Sequence, residues 1–257
     1  MLAWIVSLKR VGFSLLGCAF VLLSTTAALI KLRSHESGRS LVVSWEGLFI
    51  SRNFRDAGES FNECLGDPLM TEGVVFRANR WFSGFSCDDV GAPDEIYSLN
   101  FDPATSQEYF CHTKDGKIIG KHFNADVVIN DVEFLESWSN LQLREGICGF
   151  FSSALASVAK GKRLLTHCNA GQDRTGTVAA IIQALVAEHS KIDSARWLDA
   201  IECDYRRSPR LSSEKFDRQR RFITSVLATS SVSEFLADRC NISEVTINEA
   251  VGALSER

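Results

Sequence analysis

The chain has 257 residues, of which 45% are hydrophobic, and it carries a formal net charge of −4 at pH 7. This length suits one α/β domain with an additional segment, and the hydrophobic fraction is sufficient for a buried core. The acidic balance argues against nucleic acid as a partner, because binding to a phosphate backbone needs a basic face.

The N-terminal region contains an uncharged apolar run, Val11–Ile30, that is long enough to cross the hydrocarbon core of a bilayer. We expect a single-pass membrane anchor, because the run is longer than the apolar region of a usual signal peptide. A signal peptide cleaved near Thr25–Ala27 is the alternative, and it would leave the protein secreted or periplasmic. A buried core helix is a third interpretation. Basic residues flank both ends of the run, so the positive-inside rule does not orient it.

A short polar linker, Ser34–Ser40, follows the apolar run. The sequence therefore divides into residues 1–40, which hold the anchor or signal and the linker, and residues 41–257, which are predicted to fold as a domain. On the favoured interpretation, the domain is attached to a membrane through its N-terminal segment.

Short apolar segments bounded by turn residues predict the strands in the first half of the domain. They are Leu41–Ser51, Gly73–Arg77 and Glu95–Asn100. The segment Cys87–Asp94 is rich in turn residues, and Ser106–Cys111 is predicted as a short helix. A tight turn at Asp115–Gly116 is expected before two further extended segments, Lys117–Ile119 and His122–Val128.

Apolar residues at helical spacing predict most of the second half. The expected helices are Gly146–Ala159, Thr177–Glu188, Ile192–Tyr205 and Ser212–Leu227, and a buried strand is expected over Arg163–Thr166. Because strands alternate with helices, the predicted fold class is α/β, with a mostly parallel central sheet flanked by helices. Such sheets bind ligands at the carboxyl ends of their strands.

The sequence has eight cysteines, and Cys18 lies in the apolar run. The other seven show no C-x-x-C spacing, so no metal site is predicted. In an oxidising compartment they could form three disulfides and leave Cys168 free, whereas in the cytosol all would be thiols. The sequence leaves both alternatives open.

The most informative segment joins a predicted strand to a predicted helix and reads LLTHCNAGQDRTG. Cys168 is followed by five residues and then by Arg174, and we call residues 168–174 the signature loop. The five residues can curl so that their N–H groups point inward and bind phosphate oxygens. They are Asn169, Ala170, Gly171, Gln172 and Asp173. The N-terminus of the helix adds positive charge, and Arg174 can bind two phosphate oxygens with its planar fork.

The same positive surroundings favour a thiolate at Cys168. A thiolate below a bound phosphoryl group can attack the phosphorus in line and form a phosphocysteine. The glycine at position 171 allows close approach of the backbone. This chemistry requires neither a cofactor nor a metal ion.

The segment HCNAGQDRTG resembles the signature loop of the cysteine-dependent protein tyrosine and dual-specificity phosphatases. Asp173, just before the arginine, makes it more similar to the bacterial atypical branch of that superfamily. Ser51–Gly58, which reads SRNFRDAG, resembles the opening segment of the same branch, and Val75–Asn79 resembles the stretch that follows. The resemblance spans about Leu41 to Ile223.

The resemblance implies a phosphatase that acts on protein phosphotyrosine or has dual specificity. A lipid or phosphoinositide phosphatase at the membrane is the alternative, although Gln172 stands where phosphoinositide-directed members often carry lysine. The substrate is therefore expected to be a phosphorylated protein or a phospholipid. A phosphate-binding pseudophosphatase is a weaker alternative, because the loop lacks none of the residues that catalysis needs. A rhodanese-like sulfur transferase is also weaker, because it does not explain Arg174 and Thr175 at this spacing.

A phosphatase of this kind also needs a carboxylic acid that protonates the leaving oxygen. The resemblance places it on a movable loop upstream of the cysteine, where Asp131 is the first choice and Asp126 the second. Asp173, inside the signature loop, is an equal candidate to Asp131. Each has a structural alternative, since Asp131 can cap a helix and Asp173 can orient Arg174.

Four further features are predicted to support the loop or the substrate. His167 is expected to pack behind the loop, and Thr175 to donate its hydroxyl to the Cys168 sulfur. Arg55 and Asp56 either brace the loop from beneath or form a surface pair. The basic run Tyr205–Arg210 is either a solvated surface or a steering site for an anionic substrate.

Overall fold

Most strands lie in the first half of the computed structural model and most helices in the second half, and the model describes residues 53–99, 109–120, 131–190 and 192–255. The strands are β1 (Arg55–Asp56), β2 (Val75–Asn79), β3 (Phe85–Ser86), β4 (Glu95–Ser98), β5 (Cys111–His112), β6 (Ile118–Ile119) and β7 (Leu164–Cys168). The helices are α1 (Ala57–Leu65), α2 (Leu141–Val158), α3 (Asp173–Glu188), α4 (Ser194–Arg206), α5 (Arg218–Leu227), α6 (Val232–Cys240) and α7 (Glu244–Ser255). Short 3-10 turns occupy Arg80–Phe82, Cys87–Val90, Leu135–Ser139 and Ser213–Lys215.

The main sheet has the strand order β1-β2-β7-β4. Strands β2 and β4 run parallel to the central β7, and only the edge strand β1 pairs antiparallel, with β2. The register places Asn79 beside Cys168 and Ser98 beside His167. The carboxyl ends of three parallel strands therefore meet at one edge, and the predicted α/β fold with a helix-flanked sheet is confirmed.

Helix α3 is the central helix of the core. Its residues from Thr175 to Ala187 are all buried, because the sequence TVAAIIQALVA is apolar around most of the helix circumference. Strands β2, β4 and β7 are buried along their whole lengths. The signature loop thus joins a fully buried strand to a helix that is buried from Thr175 to Ala187, and these two elements fix where it begins and ends.

Several predicted boundaries differ from the observed ones. Helix α2 begins at Leu141, five residues before the predicted start, because the Asn140 side chain caps it by accepting from the Leu143 N–H at 3.2 Å. The predicted helix over Ser212–Leu227 is divided into a 3-10 turn and α5. Helices α1, α6 and α7 were not predicted from the sequence, although the Ser231–Glu234 capping box before α6 was a signal for that helix.

A second, small sheet has the order β3-β5-β6. Strands β5 and β6 form a hairpin, and Gly116 has a positive φ of 81° in its turn, which confirms the predicted turn. Cys111 lies in β5 rather than at the end of a helix, so the prediction for that residue was wrong. Its pairing with Ile119 and its disulfide to Cys87 hold it extended.

Three disulfides are formed within the described chain, and they are Cys64–Cys203, Cys87–Cys111 and Cys148–Cys240. Among the described residues, Cys168 is the free cysteine and is buried. The structure therefore has the three-bridge pairing with a free Cys168, and not the all-thiol alternative.

The N-terminal predictions lie outside the described residues. They concern the apolar run Val11–Ile30, the strand Leu41–Ser51 and the boundary between residues 40 and 41. The second-choice acid Asp126 also lies outside, as does the segment His122–Val128. Within the part of the chain that the structure describes, no helix combines the length and apolar character that a membrane crossing requires.

Candidate active site

The signature loop begins at the last residue of the central strand. Cys168 ends β7 and is 3% exposed, and its Sγ accepts a hydrogen bond from the Gly171 N–H at 3.2 Å. Helix α3 begins at Asp173, so its N-terminus points back into the loop. The cysteine sulfur therefore lies beside a backbone N–H group and near the N-terminus of a helix, which together favour a bound anion and a thiolate.

Gly171 is the residue that the loop geometry constrains most tightly. It has a positive φ of 67°, and a Cβ built there would lie 2.6 Å from the carbonyl oxygen of Ala78. Its own carbonyl oxygen accepts hydrogen bonds from Asn53 Nδ2 at 2.6 Å and from Arg77 Nη2 at 3.0 Å. The loop is thus held by β2 and by the segment before β1, and any side chain at this position would displace it.

A buried ion cluster lies beneath the loop and is centred on Asp204 of α4. Its carboxylate accepts from Arg55 Nε at 2.7 Å, Arg77 Nη1 at 2.8 Å and Ser60 Oγ at 2.6 Å. Burial alone would raise the pKa of Asp204, but the charges of Arg55 and Arg77 hold that pKa well below its ordinary value. We call Arg55, Arg77 and Asp204 the loop brace.

Arg77 connects the brace to both the loop and the nucleophile. Its guanidinium binds Asp204 on one side and the Gly171 carbonyl oxygen on the other. Burial, followed by the charge of Arg55, lowers the pKa of Arg77 to about 10, although Asp204 and Cys168 act in the opposite direction. A cation thus lies within electrostatic reach of the cysteine, in addition to the predicted Arg174.

The Arg55–Asp56 pair predicted near the loop is divided between two roles. Arg55 belongs to the loop brace and also contacts the Asn53 side chain. Asp56 instead caps α1 by accepting from the Gly58 N–H at 2.8 Å, and it also accepts from the Gly73 N–H. Only the arginine therefore supports the signature loop.

His167 lies in β7, and Arg174 and Thr175 lie in the first turn of α3. Arg174 is half-buried, and its Nη1 donates to the Leu99 carbonyl oxygen at 2.9 Å. The buried His167 ring packs between Phe82, at 4.9 Å between ring centroids, and Tyr109, at 4.5 Å. The buried Thr175 hydroxyl makes no hydrogen bond to the Cys168 sulfur or to any other described group.

Both carboxylate oxygens of Asp173 are already engaged. Oδ1 accepts from Tyr205 OH at 2.7 Å and from Arg218 Nη1 at 3.0 Å, and Oδ2 accepts from Lys215 Nζ at 3.1 Å. Burial alone would raise the pKa of Asp173, but these hydrogen bonds and the two positive charges bring it below its ordinary value. This environment favours the ionised form of the carboxylate, which anchors the start of α3.

The segment that carries Asp131 is attached to the end of the signature loop where Asp173 lies. Arg218 donates to Glu133 Oε1 at 3.2 Å through the same nitrogen that binds Asp173. Asp131 itself is exposed and has a positive φ of 58°. Burial raises the pKa of Glu133, and the charges of Asp173 and Asp131 add to that effect. Asp131 does not cap a helix, since the cap position of the following 3-10 turn is Phe134.

The remaining loop residues differ in exposure. Asn169 and Ala170 are exposed, and Gln172 donates from Nε2 to the Pro209 carbonyl oxygen at 2.6 Å. The basic run Tyr205–Arg210 therefore lies beside the loop.

Among the described residues, no cluster of three or more His, Cys, Asp or Glu side chains could hold a metal ion.

Several residues that hold the site together had no such role predicted from the sequence, namely Asn53, Arg77, Asp204, Tyr205, Lys215 and Arg218. A charged residue on the apolar face of a predicted helix was the available signal for Asp204. The signal for Arg77 was the presence of a charged residue in a predicted strand, Gly73–Arg77. The partners of Asp173 had no local signal, because they come from α4, α5 and the turn between them.

Residues 137–256 match a family model described as the tyrosine phosphatase family. This range contains the signature loop, the Asp204 of the loop brace and all three partners of Asp173. The other brace residues, Arg55 and Arg77, lie upstream of the match. Comparison with curated proteins gives no match.

Proposed function

This chain belongs to the protein tyrosine phosphatase superfamily, and from that premise we propose that it hydrolyses phosphomonoesters through a phosphocysteine intermediate on Cys168. Its proposed substrates are phosphorylated proteins, and the enzyme acts either on phosphotyrosine alone or, with dual specificity, on other phosphorylated residues as well. The observation that carries the proposal is the buried Cys168 sulfur, which accepts a backbone N–H from its own loop at the N-terminus of α3.

In the first step, phosphate oxygens bind the loop N–H groups and the Arg174 fork. The Cys168 thiolate attacks the phosphorus as the ester P–O bond breaks, and a general acid gives its proton to the leaving oxygen. In the second step, water attacks the phosphocysteine, the same carboxylate takes the proton from water, and the P–S bond breaks. The products are an alcohol or phenol and inorganic phosphate, and the thiolate is restored.

We assign the general acid to Asp131 and give Asp173 a positioning role. Asp131 is exposed, and Arg218 fixes its segment beside the signature loop. Asp173 is held as an ion by Tyr205, Lys215 and Arg218, so its proton is not readily available at neutral pH.

The engagement of Gln172 supports a protein substrate over an inositol lipid. The Gln172 amide is held by the Pro209 carbonyl oxygen, and the side chain brings no positive charge. A headgroup with several phosphates is favoured by a cation on the loop itself, which Gln172 does not supply. The lipid alternative therefore remains an outcome of the test below.

We further propose that the domain works in an oxidising compartment, bound to a membrane through the N-terminal run. The three disulfides support such a compartment, since cytosolic thiols are kept reduced. The uncharged run Val11–Ile30 supports the anchor. A secreted form after signal cleavage would satisfy the disulfides equally.

The test is a substrate panel with the full chain in detergent micelles, comparing phosphotyrosyl and phosphoseryl peptides with phosphoinositides. We expect the highest kcat/KM for the phosphotyrosyl peptide. Cys168→Ser should abolish turnover but retain vanadate binding, because the anion is bound by the backbone N–H groups of the signature loop and by Arg174. A matched control is Cys18→Ser, which should leave turnover unchanged. Turnover by Cys168→Ser would remove Cys168 as the nucleophile, and preference for the lipids would overturn the proposed substrate class.

A further inference from the structure

The loop brace carries more positive than negative charge. It contains two arginines and one carboxylate, and within the described chain the ion pairs of Arg55 and Arg77 go to Asp204 alone. Asp204 is ionised at neutral pH, since its pKa lies well below the ordinary value, and Arg77 stays charged with a pKa of about 10. One positive charge of the brace is therefore left without a partner inside the brace.

The neighbouring carboxylates do not supply the missing negative charge. Asp56, next to Arg55, accepts hydrogen bonds from backbone N–H groups at the start of α1 and before β2. Glu63 pairs with Arg207 nearer the surface. An excess charge that is buried is unfavourable unless an anion lies close to it. The nearest group that can become that anion is therefore sought on the signature loop.

A single residue separates the brace from the Cys168 sulfur. Arg77 Nη2 donates to the Gly171 carbonyl oxygen at 3.0 Å, and the N–H of the same glycine donates to Cys168 Sγ at 3.2 Å. The strands are also adjacent, because Asn79 pairs with Cys168 and Arg77 stands two residues before it in β2. Arg77 is 1% exposed and Cys168 is 3% exposed, so water screens their interaction little.

We propose that Arg77 is a positioning residue that supplies a counter-charge for the Cys168 thiolate, so that the excess charge of the brace stabilises the nucleophile from beneath the signature loop. Asp204 limits this effect, because it cancels the charge of one arginine. The brace thus has an electrostatic role in addition to holding Gly171. This inference rests on the proposed function, in which Cys168 is the nucleophile, and extends it to residues outside the signature loop.

Other groups beside the loop also act on the sulfur, but they do not belong to the brace. The charge of Asp173 is balanced by its own basic partners. Substitutions in the brace leave these groups in place, so a difference between brace variants reports the charge beneath the loop. The groups are Arg174 and Asp173 of α3, Lys215 and Arg218 beside Asp173, His167 of β7, and Tyr109, which packs on His167.

The test measures how the rate of Cys168 alkylation by iodoacetamide depends on pH, with the full chain in detergent micelles and its disulfides intact. Mass spectrometry identifies the labelled peptide, and the midpoint of the profile reports the stability of the thiolate, which is the reactive form. Arg77→Gln leaves the brace without excess charge and should raise the midpoint by about one pH unit. Asp204→Asn adds to the excess and should lower the midpoint by a similar amount. Arg77→Lys keeps the charge and should restore most of the difference.

The matched control is Arg196→Gln, because Arg196 lies on the same helix as Asp204 but has a side chain that is 50% exposed and pairs with Asp67. Its midpoint should stay unchanged. Where a variant does not fold, Arg55→Gln replaces Arg77→Gln, and the contrast with the charge-retaining Arg77→Lys replaces Asp204→Asn.

The direction of the two shifts decides the outcome. Shifts of Arg77→Gln and Asp204→Asn in the same direction would indicate a loosened loop rather than a change in charge. That result, or the absence of a shift, would overturn the counter-charge and leave the proposed function intact. Opposite shifts in a chain that releases phosphate from no substrate would overturn the proposed function and leave the counter-charge standing.

Discussion

The two candidate general acids, Asp131 and Asp173, have opposite surroundings. Asp131 is exposed, whereas both oxygens of Asp173 are bound by Tyr205, Lys215 and Arg218. A general acid must gain and lose a proton in each cycle, while a positioning carboxylate must stay ionised. The two residues were equal candidates from the sequence, because the sequence does not show which basic side chains approach them.

The dependence of the rate on the leaving group distinguishes these roles. Asp131→Asn should lower turnover about a hundredfold for substrates with poor leaving groups, since general acid catalysis typically supplies that much. The loss should be much smaller for activated aryl phosphates, whose leaving oxygen hardly needs a proton. Asp173→Asn should instead weaken vanadate binding and slow both kinds of substrate alike. Steady-state kinetics across a series of leaving groups would measure this, and the reverse pattern would make Asp173 the acid.

At the scale of secondary structure, the loop brace links β1, β2 and α4 to the signature loop. Asp204 pairs with both Arg55 and the buried Arg77, and Arg77 also holds the Gly171 carbonyl oxygen. Loss of one partner of a buried ion pair typically costs about 3–5 kcal/mol, because the remaining charge stays buried. The brace should therefore contribute to stability and to loop geometry together.

Asp204→Asn should lower the free energy of unfolding by about 3 kcal/mol and reduce turnover. Asp199→Asn is the matched control, since Asp199 lies on the same helix with its side chain 66% exposed and pairs only at the surface. Its effect should be at most about 1 kcal/mol. Thermal and denaturant unfolding would measure both variants, and similar values for the two would contradict the account of the brace.

The pH dependence follows from the sign of the Asp204 shift. Its pKa in the folded state lies well below the ordinary value of 3.8, so the stabilisation is fully present above that pH and is lost as the pH falls below it. Unfolding measured between neutral and strongly acidic pH should show a steeper loss of stability for the wild type than for Asp204→Asn. Parallel curves would mean that Asp204 is not the group responsible.

The elements that the sequence predicted well are those with a strong local signal. The apolar runs of β7 and α3 and the turn at Gly116 were recognisable because periodicity and glycine are local properties. Helices α6 and α7 were not predicted, although a capping box preceded α6. Arg55 was predicted as a possible support of the loop, but Arg77 and Asp204 were not predicted, because the three residues are brought together only by tertiary packing.

At the scale of the whole molecule, disulfides tie distant parts of the described domain together. The bridge between Cys64 and Cys203 joins α1 to α4 across 139 residues and lies next to Asp204 in sequence. The bridge between Cys87 and Cys111 closes only 24 residues. The sequence predicted that three bridges could form but not which cysteines would pair, since pairing depends on the tertiary fold.

Removal of the longer bridge should destabilise the protein more. In the chain-entropy account, Cys64→Ser/Cys203→Ser should cost about 1.5 kcal/mol more than Cys87→Ser/Cys111→Ser, because the larger loop restricts the unfolded chain more. Denaturant unfolding of the two double variants under oxidising conditions measures the difference. A larger loss for the shorter bridge would show that native contacts, rather than loop length, determine the effect.

The most direct test of the central claim is to trap the phosphoenzyme. Rapid mixing of the full chain with a radiolabelled aryl phosphate, followed by acid quench and peptide mapping, should place the label on the peptide that contains Cys168. The phenol should be released in a burst that approaches one equivalent per chain before the steady state. Neither label nor burst is expected with Cys168→Ser. A label on another residue, or turnover without any labelled intermediate under conditions where the burst is seen, would contradict a phosphocysteine mechanism.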